Sequence, residues 1–313
     1  VYHLPKPLSQ NLFESGTTLV LRNKNDSDKG TWDVGGQGTS PYVKLRGGNI
    51  YGNLKNGKLL IDSGDSIFEG ALNNFVVEIW RDYVWNGNIR LDPSSSDVTL
   101  SLGNDLSRPT PNQITFTMTA DVNNISEVSI HDTTVNGNGK TITTPKLTVE
   151  NNGYFNNVKI KSGENLTVTG GGALNLTNSS LSAGNSITAT DINVTGTLDV
   201  DLYAAAGDQR FYTNNITGTN GAAVTFRTSG KSSDGIVYFN KKTGNWIEIK
   251  DVSLNFSGTN ASFASDVYFT NAKISTTQRD TAFEFQGIRP AVFRGENTIF
   301  ADNIKTDIGR ALV

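Results

Sequence analysis

The sequence predicts an all-β chain folded as a single-stranded parallel β-helix, a β-solenoid of right-handed coil, and three observations predict it. First, one short phrase recurs between residues 145 and 203, among others as Leu147-Thr148-Val149, Leu166-Thr167-Val168, Leu174-Asn175-Leu176, Ile192-Asn193-Val194 and Leu198-Asp199-Val200. Each copy alternates apolar and polar residues, as a strand with one buried and one wet face does. Second, the phrases are separated by Asn, Gly and Ser, for example Asn151-Asn152-Gly153 and Gly170-Gly171-Gly172. Third, Leu147, Leu166 and Ile187 stand roughly 19 to 21 residues apart, and Val158, Leu174 and Ile192 roughly 16 to 18, the return period of a coil. Strands of three residues do not hold a hairpin together, so something must stack them. The rival architecture is an antiparallel sandwich, which needs longer strands and two-residue hairpin turns.

Taken in order, residues 1–45 read as an irregular amino-terminal segment or cap. The opening His3-Leu4-Pro5-Lys6-Pro7 lacks sheet donors at its prolines, and a solenoid needs its first rung covered. The coil is expected over residues 46–313. Between Ile50 and Leu102 its rungs are more aromatic, and the segment from Phe75 to Trp85 places Trp80, Tyr83 and Trp85 just beyond the apolar face of Phe75, Val77 and Ile79. Two readings stay open there, a packed rung or an exposed aromatic platform for a carbohydrate or a partner. A break at Ala204 to Gln209 reads as a loop protruding from one corner. Bulkier phrases follow, including Val237-Tyr238-Phe239 and Val267-Tyr268-Phe269, and Ile249 to Phe269 again spans about one rung. The end, from Ile304 through Ile308 to Leu312, reads as one helical turn or the next rung cut short. With Val1 at the start and no cap at the end, the chain is expected to be a mature or excised piece whose coil continues past residue 313.

The 313 residues include 32 glycines and no cysteine, and the net charge is -3. That balance argues against a nucleic-acid partner, because phosphate binding needs a basic patch. The missing cysteine excludes a disulfide scaffold and a thiol nucleophile, and it suits an exported bacterial chain. No apolar run reaches the length of a spanning helix. With His3 and His131 alone, catalytic options are few. Gly64-Asp65-Ser66 resembles a serine-nucleophile motif without its following glycine. Asp199 and Asp201 share one side of a strand, with Asp191 near if a turn folds back, a pattern that two-carboxylate hydrolysis could use. Their plain reading is a wet face. No calcium repeat occurs, Asn136-Gly137-Asn138-Gly139 reads as a turn, and no metal or cofactor is expected. Nine Asn-X-Ser/Thr triplets, from Asn25 to Asn260, are mostly compositional, although Asn193 and Asn255 fall at outward positions open to glycosylation.

A cysteine-free coil rich in Asn, Gly, Ser and Thr resembles the β-helical passengers of Gram-negative type V secretion, the autotransporters and the two-partner filamentous haemagglutinins. Within that class, Trp32-Asp33-Val34-Gly35, Tyr42-Val43-Lys44-Leu45-Arg46-Gly47-Gly48, Gly87-Asn88-Ile89-Arg90-Leu91 and Thr99-Leu100-Ser101-Leu102-Gly103 are similar to the amino-terminal part of the Helicobacter vacuolating cytotoxin family, over roughly residues 29–182. The resemblance implies a secreted or surface-held protein, host-cell attachment through a receptor or glycan, and self-association of the β-helix. It does not carry pore formation, because residues 1–30 lack the apolar segment with spaced glycines. The expected function is therefore adhesion without enzymatic activity. A membrane-oligomerising toxin subunit and a polysaccharide-active enzyme are the alternatives. Function is expected where the repeat fails, at Trp80, Tyr83 and Trp85 and, beside the 204–209 break, at Gln209 and Arg210.

Overall fold

A computed structural model describes residues 10–22, 29–35, 42–103, 113–231, 235–244, 246–276, 282–286, 291–300 and 303–306. Over these the chain is a β-solenoid of about 11 turns without a helix. Its strand pairs are parallel and each joins one turn to the next, so the backbone bonds run along the stack. No helix among the described residues is long and apolar enough to cross a membrane.

Alternation decides what faces inward. In Lys146–Asn156 the inward residues include Leu147, Val149 and Phe155, and in Asp191–Leu202 they are Ile192, Val194, Leu198, Val200 and Leu202, all buried. One contiguous core runs from Val34 to Ala291. It is aliphatic in the middle turns and becomes phenylalanine-rich from Phe211 onward. There Phe239 lies 4.8 to 5.9 Å, centroid to centroid, from Phe211, Phe226, Phe256 and Phe263, within the usual range for aromatic pairs.

The three-residue phrases are parts of longer strands. Leu174-Asn175-Leu176 and its successor Leu181 belong to one strand, Ala173–Ala183, and Glu127–Asn136 and Asn215–Arg227 are built the same way. The corner inside each is turned by a single residue of positive φ, which bends the chain while pairing resumes on both sides. At one corner these residues follow one another through successive turns as Asn157, Asn178, Gly196, Gly221, Asp251, Asn271 and Gly295, with φ between 47° and 74°. Asn, Asp and Gly tolerate this conformation best. The carboxamides also bond between turns: Asn271 Nδ2 donates to Asp251 Oδ1, and Asn178 Oδ1 accepts from the Thr197 amide.

The register corrects part of the expected ladder. Leu166 pairs with Ile187 and Leu174 with Ile192 as expected, but Leu147 lies opposite Val168 and Leu174 opposite Gly153. The Val158 amide meets Ser179 Oγ. Unequal corner loops shift the pairing by a few residues, and equal sequence spacing does not reveal this. Ile249 does face Phe269. The first 45 residues are not irregular throughout, since Gln10–Glu14 pairs in parallel with Tyr42–Arg46, Thr18–Val20 with Asn49–Tyr51, and Thr31–Asp33 with Asn53–Ile61. At the other end Asn303–Thr306 is a strand on Ala282–Phe285, which places Ile304 in a rung. The proline-containing start and residues 307–313 lie outside the described residues.

Candidate binding site

The aromatic platform expected at Trp80, Tyr83 and Trp85 is turned inward. In the strand Tyr83–Trp85 the exposed residue is Val84, while Tyr83 and Trp85 are 6% and 2% exposed. Both pack on Phe116 of the next turn, at 6.3 and 5.9 Å between ring centroids. Trp85 Nε1 donates to the Asp121 carbonyl at 3.1 Å. Trp80 is half-buried. Its Nε1 and the Tyr83 hydroxyl are buried without a hydrogen-bond partner among the described residues. Burial, with the Asp65 charge adding to it, pushes the Tyr83 hydroxyl up to about 12. Three residues outside any strand follow Ile79, yet the odd-numbered positions that are buried at Phe75, Val77 and Ile79 are again the buried ones at Tyr83 and Trp85, so these two aromatics fall on the core side.

At the second expected place, residues 203–208 do form a loop between the strands Asp191–Leu202 and Gln209–Thr213. Gln209 is buried and closes that loop, its Nε2 donating to the Ala204 carbonyl at 3.0 Å. Arg210 is half-buried, hydrogen-bonded to Asp208 at 2.6 Å, which raises its already high pKa, and it lies over the Tyr238 ring at 5.8 Å. Both residues therefore serve the loop and its neighbouring turn.

The residues considered for catalysis are also engaged. Asp199 and Asp201 share a face, but Asp199 pairs with Arg227 at 3.3 Å and Asp201 accepts from the Ser229 amide and hydroxyl. Asp191 stands before the Gly196 corner and accepts from Asn215 Nδ2, so it does not join them. Ser66 is buried and accepts from the Gly47 amide, a structural use of its Oγ. Several triplet asparagines spend their side chains between turns: Asn193 donates to Asn175, Asn215 to Asp191, and Asn255 accepts from Ser275. Asn25 lies outside the described residues. Among the described residues no group of three or more His, Asp or Glu is placed to hold a metal ion.

Two features remain on the surface. An open groove of about 340 Å³ is lined by Asn56, Lys58, Asn74, Asp97 and Thr99. Its carboxamides are tied into a corner ladder, Asn74 to Asn56 to Asp33, and Lys58 is held by Glu78 at 2.8 Å. The other is an aromatic pair on an outward face. Trp246 is 45% exposed, and its ring meets that of Tyr268 at 5.6 Å and 75°. The Arg294 guanidinium lies 5.1 Å from the Tyr268 centroid. This pair was not anticipated, although its signal was present: Trp246-Ile247-Glu248-Ile249-Lys250 alternates, and the parity that buries the two isoleucines turns Trp246 outward. Compared with known proteins, the chain matches no family model, no curated protein and no solved structure. The class defined by the molecule is therefore that of its architecture, a parallel β-solenoid.

Proposed function

We propose that the chain is a secreted or surface-held β-helical passenger of a Gram-negative bacterium, exported by a type V route, that attaches to host cells through its outward faces. The observation that carries this reading is the parallel solenoid of about 11 turns. At roughly 4.8 Å per turn such a coil is a rod on the order of 50 Å long, whose core and corner ladders are committed to stacking and whose flat faces remain for contact. Rods of stacked turns present extended lateral surfaces suited to binding, and a face whose outward residues vary from turn to turn displays different chemistry along its length. The cysteine-free sequence agrees with export.

The test is attachment. Labelled chain is added to cultured epithelial cells, with a β-rich protein of similar charge as control. Saturable binding that unlabelled chain displaces is expected. Binding no greater than the control would sink the adhesin reading.

A further inference from the structure

The exposed indole of Trp246 differs from the polar residues on the turns just before it. On the three preceding turns the columns of Glu248 and Lys250 carry Asn215 and Thr217, then Asp191 and Asn193, then Asn175, and Asn215 donates to Asp191 as Asn193 does to Asn175. At the turn containing the strand Trp246–Lys250 the character changes. Trp246, Glu248 and Lys250 point outward; on the next turn Tyr268 lies beside Glu248, and beyond it come Val292 and Arg294. The edge-to-face contact of Trp246 with Tyr268, and the Arg294 guanidinium over the Tyr268 ring, brace the pair before any ligand arrives. Core formation does not require Trp246, because Ile247 and Ile249 supply the buried side of this strand.

A ligand suited to this place has a flat apolar face for the indole and hydrogen-bonding groups at its rim. A pyranose has both: its C–H bonds are electropositive and fit the negative face of an aromatic ring, and its hydroxyls donate and accept. Glu248 supplies acceptors; Arg294 and Lys250 supply donors. Glu248 and Asp266, which lies opposite Trp246, balance the charges of Lys250 and Arg294, so the face offers no net attraction to an acidic sugar. A flat hydrophobic partner would leave charges of both signs desolvated.

We propose that Trp246, Tyr268, Glu248 and Arg294 form a binding site for a neutral, pyranose-containing glycan, with the indole stacked on the sugar. The proposal rests on the attachment reading above and names its target chemistry. It is tested by titrating the chain with lactose, N-acetyllactosamine, maltotriose and chitotriose to millimolar concentration, followed by calorimetry and tryptophan fluorescence. Trp246→Ala, Trp246→Phe and Arg294→Gln are titrated alongside, and each protein is also assayed for cell attachment. At least one saccharide is expected to bind and to compete with cells. Trp246→Ala should weaken it at least about tenfold with an unchanged melting curve, as truncation of a central anchor does, and Trp246→Phe should keep most of the affinity. Arg294→Gln should weaken binding less and serves as the second variant if Trp246→Ala melts early. Saccharide binding that survives both Trp246→Ala and Arg294→Gln overturns the site, as does binding of none of the four or binding of sialylated counterparts alone. Should attachment persist in those cases, the adhesin reading stands without this site. An unaltered chain that binds saccharide but does not attach to cells would overturn the adhesin reading and leave the site.

Discussion

At Asn178 the backbone φ is 47° and the side-chain oxygen accepts the Thr197 amide at 3.1 Å. Both facts follow from one need, a corner that bends the strand without losing its hydrogen bonds. Alanine would keep the strained φ and leave that amide unpaired, so Asn178→Ala is expected to cost about 1–3 kcal/mol. Glycine removes the strain but loses the same hydrogen bond, so Asn178→Gly is expected to cost less than Asn178→Ala by the strain alone, and chemical denaturation of the two variants checks the difference. Tyr83 offers the second test at this scale. Its hydroxyl holds its proton in the folded chain up to about 12, against 10.0 for a free tyrosine. The folded state therefore binds more protons than the unfolded state between those values, and stability present below pH 10 is lost as the pH rises toward 12. Tyr83→Phe should abolish that part of the alkaline loss. It is expected to be neutral or stabilising near neutral pH, by up to about 1 kcal/mol, because it removes a hydroxyl without a partner. Thermal melts at pH 8 to 11.5 give both readings.

The strand is the unit in which these residues act. Ala173–Ala183 packs Leu174, Leu176, Leu181 and Ala183 inward and pairs on both sides, with Lys146–Asn156 before it and Asp191–Leu202 after it. A charge at Leu176, which is 1% exposed, would lie among Phe155 and Val194, its neighbours in register, with nothing to pair it. Leu176→Asp is expected to cost more than about 4 kcal/mol. An unchanged melting profile would disprove its place in the core. Strand parity also explains the two aromatic segments. Trp246 could be placed from its own strand, because Ile247 and Ile249 declare the buried side. Tyr83 and Trp85 keep the parity of Phe75, Val77 and Ile79, but three residues outside any strand separate them, and contact with Phe116 is what shows that the parity carries across.

Along the whole molecule each turn touches its immediate neighbours, so damage should stay local. Phe239 stands at the centre of four ring contacts. Phe239→Ala is expected to cost about 3–5 kcal/mol. Hydrogen exchange should show the loss in Gln209–Thr213, Ile236–Lys241 and Asn260–Phe263, with Tyr42–Arg46 and Asn53–Ile61 unchanged. Uniform loss of protection would mean that the solenoid is one cooperative body. From the sequence alone came the fold class, the inward residues of each phrase and the turn-forming role of Asn and Gly, because alternation and backbone preference are local properties with a period of two. The tertiary structure decided which phrases are neighbours, that strands pair within the first 45 residues, that Tyr83 and Trp85 face the core, and that Trp246, Tyr268 and Arg294 meet on one face. These depend on register, and register is the sum of every corner's length, which no single stretch of sequence contains.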